Sequence, residues 1–130
     1  LADAQALPFP DASFDCATTA FVIRNVADVG AAFAEIRRVV RPGGRVVCLE
    51  LTQNRLPLWG FLFGLYFGRI VPLVGRLLAG DAGAYSYLPQ SVAAFLSPAQ
   101  LAAAMARAGL REVRWRRLGF GTVTLHVGRA

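Results

Sequence analysis

Lysine is absent from this chain of 130 residues, although arginine occurs 14 times. Histidine and methionine occur once each and cysteine twice. One histidine and two cysteines, Cys16 and Cys48, both inside apolar strand-like runs, cannot build a zinc site of the usual ligand spacing. The cysteines read instead as buried thiols of a reducing compartment, not as a disulfide framework. No glycine-rich phosphate loop and no G-x-S-x-G elbow occur, which sets aside P-loop chemistry and elbow-type serine hydrolysis. No uncharged run is long enough for a membrane-spanning helix, which needs roughly 20 residues; Leu56–Gly68 falls short. Repeats, low-complexity linkers and a signal peptide are not visible. A starting methionine is missing too: the chain opens on Leu1, and Asp3 arrives with no element before it, so the sequence reads as a piece of a longer one.

What is present is apolar and basic. Hydrophobic residues make up 55% of the chain, which argues for a packed core and against disorder. The length suffices for one domain. The formal net charge of +6 suits nucleic acid, an anionic membrane surface or simply a solvated basic face. No basic groove interleaved with aromatics and no N-P-P-Y-type motif supports nucleic acid, so no nucleic-acid partner is expected.

The order of elements is legible from the pattern. After a loop-like opening with Pro8, Pro10 and Asp11, "FDCATTAFVI" (14–23) reads as a buried strand. Asp28 is placed to cap a helix whose Val29, Phe33, Ile36 and Val40 share one face. "RPGG" (41–44) is expected to stop that helix, and "RVVCLEL" (45–51) reads as a second buried strand. Strand, helix, strand in this span is a βαβ unit with a parallel pair. Ser97 is expected to cap a further helix, with Pro98 in its first turn, Leu101, Met105 and Ala108 on one face, and Gly109 at its end. "REVRWRRLGF" (111–120) and "TVTLHVGR" (122–129) read as two antiparallel strands joined around Gly119–Gly121. Between these halves, residues 56–80 are apolar, aromatic and interrupted by Gly and Pro, and 84–96 holds room for a short helix broken at Pro89.

Polar residues gather where strands end. Arg24 and Asn25 follow the first, and Glu50 and Thr52 close the second. Ligands in open α/β sheets bind outside such carboxyl ends.

The residues carrying these features resemble a known family. "DAQALPFPDASFD" (3–15), "FVIRNVAD" (21–28), "RVVRPGGRVVCLEL" (38–51), "DAGAYSYLPQSV" (81–92) and "TVTLHVG" (122–128) are similar to the ubiquinone/menaquinone biosynthesis C-methyltransferases, the UbiE family. The resemblance implies an α/β fold: the C-terminal half of a Rossmann-like class I methyltransferase sheet, strands four to seven with the last antiparallel, plus an apolar helical insertion. Residues 1–130 would be a partial methyltransferase domain, and 53–96 an apolar substrate lid within it. It implies S-adenosylmethionine as cofactor and methylation of a polyprenylated quinol, demethylmenaquinol or polyprenyl-benzoquinol. The family's glycine-rich loop and its ribose-holding acid would lie upstream of Leu1, so the fragment alone is expected to bind the cofactor weakly or not at all.

Asp3 and Ala4 match the family's adenine-contacting loop; the alternative for Asp3 is a turn aspartate. The resemblance implies that Ala20 and Phe21 fall beside the cofactor, with Ala20 where the family often has serine. Arg24 and Asn25 are expected at the reacting carbon. Arg24 would stabilise phenolate, with an ion pair to Asp28 or Asp15 as the structural alternative, and Asn25 would relay a water. Substrate contacts are expected from Tyr85, Tyr87 and Ser91, and from Trp59 and Phe63 of the lid, whose alternative role is to cover the sheet. His126 lies too far along the last strand to act as base and is read as structural. Arg114 and Arg116 would guard a sheet edge. The protein is expected in the cytoplasm, with a peripheral contact at the inner face of the membrane. A second reading stays open, a non-catalytic methyltransferase-like module that binds lipid or a partner.

Overall fold

In the computed structural model, which describes residues 1–52, Leu65, Arg69 and residues 91–130, the first apolar run forms a strand but stops early. β1 spans Phe14–Ala20. Phe21 then adopts left-handed backbone, φ 59°, a conformation that costs a residue bearing a Cβ about 1–2 kcal/mol and breaks a strand. A 3₁₀ turn, Ile23–Asn25, follows. Arg24 and Asn25 therefore ride on a turn beyond the strand, and the strand does not run to Ile23.

Helix α1, Val29–Val39, starts as expected. The Asp28 carboxylate accepts from the N–H groups of Gly30 and Ala31, filling two of the donors a helix start leaves open. The helix buries Ala32, Phe33 and Val39. It ends before the R-P-G-G segment: Val40 is already extended and only its N–H reaches back, to the Ile36 carbonyl. The next strand, β2, accordingly begins at Val40 and runs to Leu51. R-P-G-G is a bulge inside it, since Phe14 pairs with Val40 but Cys16 pairs with Arg45. The two glycines answer different needs. Gly43 has φ +80° and open space around its α-carbon, so it supplies the turn. At Gly44 a Cβ would lie 2.6 Å from the Asp15 carbonyl oxygen and 2.5 Å from a Val40 methyl, so it supplies room.

Helix α2, Pro98–Arg107, has a full capping box: Ser97 accepts from the Gln100 N–H, and the Gln100 side chain accepts from the Ser97 N–H. Gly109, φ +91°, turns the chain out of it. Strand β3, Arg111–Leu118, is joined by a 3₁₀ turn at Gly119–Gly121 to β4, Val123–Arg129.

The sheet order is β1-β2-β4-β3. β1 and β2 are parallel, and β4 is antiparallel to both its neighbours. β1, β2 and β3 thus point the same way, and their carboxyl ends meet the start of β4. Among the described residues β3 is an edge, and its Arg114 and Arg116 are exposed there, as expected of charges that discourage sheet-to-sheet pairing. Along β2 the residues Val46, Cys48 and Glu50 are buried and alternate with half-buried Val47, Leu49 and Leu51. The buried row meets Phe33 of α1 and Leu101 and Met105 of α2 in one core.

β1 is mostly exposed, contrary to the expectation of a buried strand. Among the described residues it pairs with β2 alone, so its far side is uncovered within this span of the chain. Cys16 is exposed with it, whereas Cys48 is buried and its thiol is pushed up to about 12 by burial and by the nearby Glu50 charge. Residues 91–94 are helical. The expectations for Trp59, Phe63, Tyr85 and Tyr87, and for most of the segment 53–96, lie outside the described residues. No helix among the described residues is long and apolar enough to cross a membrane.

Candidate active site at the carboxyl ends of the strands

Glu50 is the last carboxylate one would place in the buried row of β2, because an ionised group without a partner there costs several kcal/mol. Its partner is Arg24. The guanidinium Nη1 lies 2.6 Å from Glu50 Oε1, with the two side chains 9% and 0% exposed. The Arg24 N–H donates to Oε2 at 3.3 Å and the Leu51 N–H to Oε1 at 3.0 Å. Nη1 also donates to the Phe21 carbonyl at 2.8 Å, so the left-handed turn at Phe21 closes back onto the arginine. The ion pair with Asp28 or Asp15, the structural alternative for Arg24, is not formed. Asp28 is occupied as the helix cap, and Asp15 pairs with Arg41 at 2.6 Å.

This pairing changes what Arg24 can offer. With Glu50 beside it, the unit carries no net charge, so a ligand would meet directed N–H donors and not a bare cation. Arg24 Nε is buried and has no partner among the described residues. Two residues beyond Glu50, Thr52 is 5% exposed and its hydroxyl likewise has none. Its backbone N–H donates to the Thr122 carbonyl, which fixes it at the start of β4.

The opening loop is tied to this end of the sheet. Asp3 Oδ1 accepts from the Gln5 N–H at 2.9 Å, and the Gln5 side-chain oxygen accepts from the Asp28 N–H at 2.9 Å. Asp3 thus makes the local turn that its residue type favours, and Gln5 links that turn to the start of α1. Arg38 holds the rest of the loop, donating to the carbonyls of Leu7 and Phe9 and to Asp11. It also makes a two-pronged pair with Glu35 at 2.8 and 2.9 Å. The Arg38 hydrogen bonds, then the Leu7 N–H, draw the Glu35 carboxyl down to about 2, and Glu35 and Asp11 hold the guanidinium above its usual value. Ala4 is half-buried against the core, while Ala20, Phe21 and Asn25 are exposed at the end of β1 and on the turn after it.

His126 is remote from this chemistry in role. Its Nε2 lies 2.9 Å from the Pro98 carbonyl oxygen, which can only accept, so Nε2 carries the proton. The ring is buried opposite Cys48 and stacks on Trp115 with centroids 6.1 Å apart. Burial lowers its pKa and keeps it neutral. The expectation of a structural histidine agrees with these contacts.

A groove of about 830 Å³ opens beside Arg24, lined by Val26, Asp28, Ala34, Phe95 and Leu96 among others. Another, of about 550 Å³, lies at the opposite end of the parallel strands among Asp11, Arg37, Pro42, Arg111 and Arg129, and takes no part in the site. Ser91 is half-buried in the helical stretch 91–94.

The pairing of Glu50 was missed from sequence, though a signal existed. Glu50 shares the alternation of Val46 and Cys48, which marks it as buried and in need of a cation. Gln5, Glu35 and Arg38 carried no such signal, since each looks like an ordinary surface residue.

With this geometry in view, comparisons with known proteins are informative. Residues 1–130 match the ubiE/COQ5 methyltransferase family. A demethylmenaquinone methyltransferase of Roseiflexus castenholzii is 51% identical over 126 residues, covering 97% of this chain and 53% of the relative. One of Thermus thermophilus is 49% identical over 127 residues, covering 98% of this chain and 57% of the relative. The chain therefore spans about half the length of the curated relatives it matches. Among solved structures, a SAM-dependent methyltransferase of Thermotoga maritima, described as a possible histamine N-methyltransferase, superposes with a TM-score of 0.65 at 21% identity, over 97% of this chain and 60% of that one. At that identity the likeness concerns the fold, which is that of class I methyltransferases.

Proposed function

This chain belongs to the ubiE/COQ5 methyltransferase family, and from that membership we propose that the whole protein transfers a methyl group from S-adenosylmethionine to a ring carbon of a polyprenylated quinol. The quinol is a demethylmenaquinol or a polyprenyl-benzoquinol. The observation that carries the reading is the near-complete match of this chain to demethylmenaquinone methyltransferases. The buried Arg24–Glu50 pair at the carboxyl ends of the strands supports it.

The residues present fit the adenosyl side of that cofactor. Asp3 is exposed and, among the described residues, accepts only on Oδ1, which leaves Oδ2 for an exocyclic amine. Ala4 follows it in the same loop, and the exposed Ala20 and Phe21 border the strand end. When bound, S-adenosylmethionine supplies a methyl group activated by its sulfonium. This chain's own part is to make the ring carbon electron-rich. A phenol has a pKa near 10, so donors that favour phenolate raise the reactive fraction. Arg24, held by Glu50 and the Phe21 carbonyl, offers such donors without reorganising. It stays protonated and is no base; Asn25, exposed on the same turn, relays a water that takes the proton.

The prenyl tail needs an apolar shelter. Residues 53–96, with Trp59, Phe63, Tyr85, Tyr87 and Ser91, supply a lid in this proposal. Arg69 and Arg76 meet anionic headgroups, so that the protein touches the membrane from the cytoplasmic side. The test is to incubate the whole protein with S-adenosylmethionine and a chemically reduced, short-tailed demethylmenaquinol. A ring-methylated product by mass spectrometry is expected. A folded protein that binds S-adenosylmethionine yet methylates neither this quinol nor a polyprenyl-benzoquinol would overturn the proposal.

A further inference from the structure

We propose that Thr52, together with Arg24 Nε, forms the seat for a ring oxygen of the acceptor. The inference rests on the quinol-methylation reading and adds to it a specificity-determining residue. Two buried polar atoms at this end of the sheet lack partners among the described residues: the Arg24 Nε–H and the Thr52 hydroxyl. A buried polar group left unsatisfied is costly, and native structures keep few without a reason. Glu50 binds the Arg24 guanidinium directly, and Thr52 follows two residues later in the same buried row, about 7 Å further toward the open end.

The chemistry of the two atoms defines the ligand. Arg24 Nε can only donate, and a hydroxyl can donate or accept. A phenolic oxygen serves both in either state. As phenol it donates to Thr52 and accepts from Arg24; as phenolate it accepts from both. Thr52 is held for this by backbone, since its N–H donates to the Thr122 carbonyl and so keeps its place if the side chain changes. An apolar ring carbon in that position would leave both atoms unpaired, so the pair selects how the ring sits as well as whether it binds.

Thr52→Val is nearly isosteric and separates the possibilities. In the whole protein it is expected to keep or raise the melting temperature, because it removes an unpaired buried hydroxyl. It should also weaken binding of a tail-less ring analogue, 1,4-naphthalenediol, by on the order of tenfold to a hundredfold. KM for the quinol should rise in step, and S-adenosylmethionine affinity should stay unchanged. Thr52→Ser should restore most of the loss. Unchanged analogue affinity, with or without a fall in melting temperature, would overturn the inference, as would an equal loss of S-adenosylmethionine affinity. Analogue binding is read by calorimetry without turnover. A wild-type protein that binds the ring through Thr52 but methylates no quinol would therefore refute the proposed reaction and leave this site standing.

Discussion

Removing Glu50 alone should destabilise the protein far more than removing Glu50 and Arg24 together. The charges of the pair sit roughly 4 Å apart, and at an effective dielectric of about 20 their attraction is about 4 kcal/mol. Taking both charges out of water costs a similar amount, so the pair as a whole contributes little net stability. A lone survivor keeps the desolvation cost and loses the attraction. In Glu50→Leu, Arg24 Nη1 retains, among the described residues, only the Phe21 carbonyl, and the Arg24 and Leu51 N–H groups lose their acceptor. The expected loss is about 3–5 kcal/mol, or on the order of 10 °C in melting temperature for a protein of this family's size. The double variant Arg24→Met, Glu50→Leu should recover most of it. A double-mutant cycle in urea should therefore return a coupling of about 2 kcal/mol or more. If the refolded double variant also loses at least about a hundredfold in turnover, Arg24 acts on the substrate as well as in the fold. Additive losses across the cycle would refute the energetic reasoning, and a stable double variant with full turnover would refute the catalytic role.

Three further outcomes follow from other contacts. His126 is neutral when folded and has a lowered pKa, whereas the unfolded chain takes up a proton near 6.5. Its contribution to stability is present above that pH and is lost as pH falls below it; His126→Gln, which keeps a donor for Pro98, should flatten this acid limb in thermal melts. Arg38→Ala should free the loop of residues 7–12, seen as faster amide exchange there and weaker S-adenosylmethionine binding, while the α1 amides keep their protection; uniform loss of protection would mean the loop is not the element Arg38 holds. Gly44→Ala should cost several times more stability than Gly43→Ala, because only at Gly44 would the new methyl strike backbone and a Val40 methyl; equal costs would show that backbone dihedral, not space, governs both sites.

Much of this protein was determined by the order of its residues. The βαβ unit, the Asp28 and Ser97 caps, the exit at Gly109, the antiparallel pair at the end and the charged edge of β3 all rest on local chemistry or on a two- or four-residue period. Such features need no knowledge of what lies across the sheet. The family motifs were equally local. Two things were decided only by the tertiary structure. The helix stopped at Val39, ahead of R-P-G-G, because β2 claimed Val40 for pairing with Phe14, a contact far away in the chain. Arg24 chose Glu50 over the sequence-near Asp28 and Asp15 because a parallel crossover brings the turn after one strand beside the end of the next. Coulomb attraction acts on distance in space, and only the closed βαβ unit makes those two residues neighbours while withdrawing water from both.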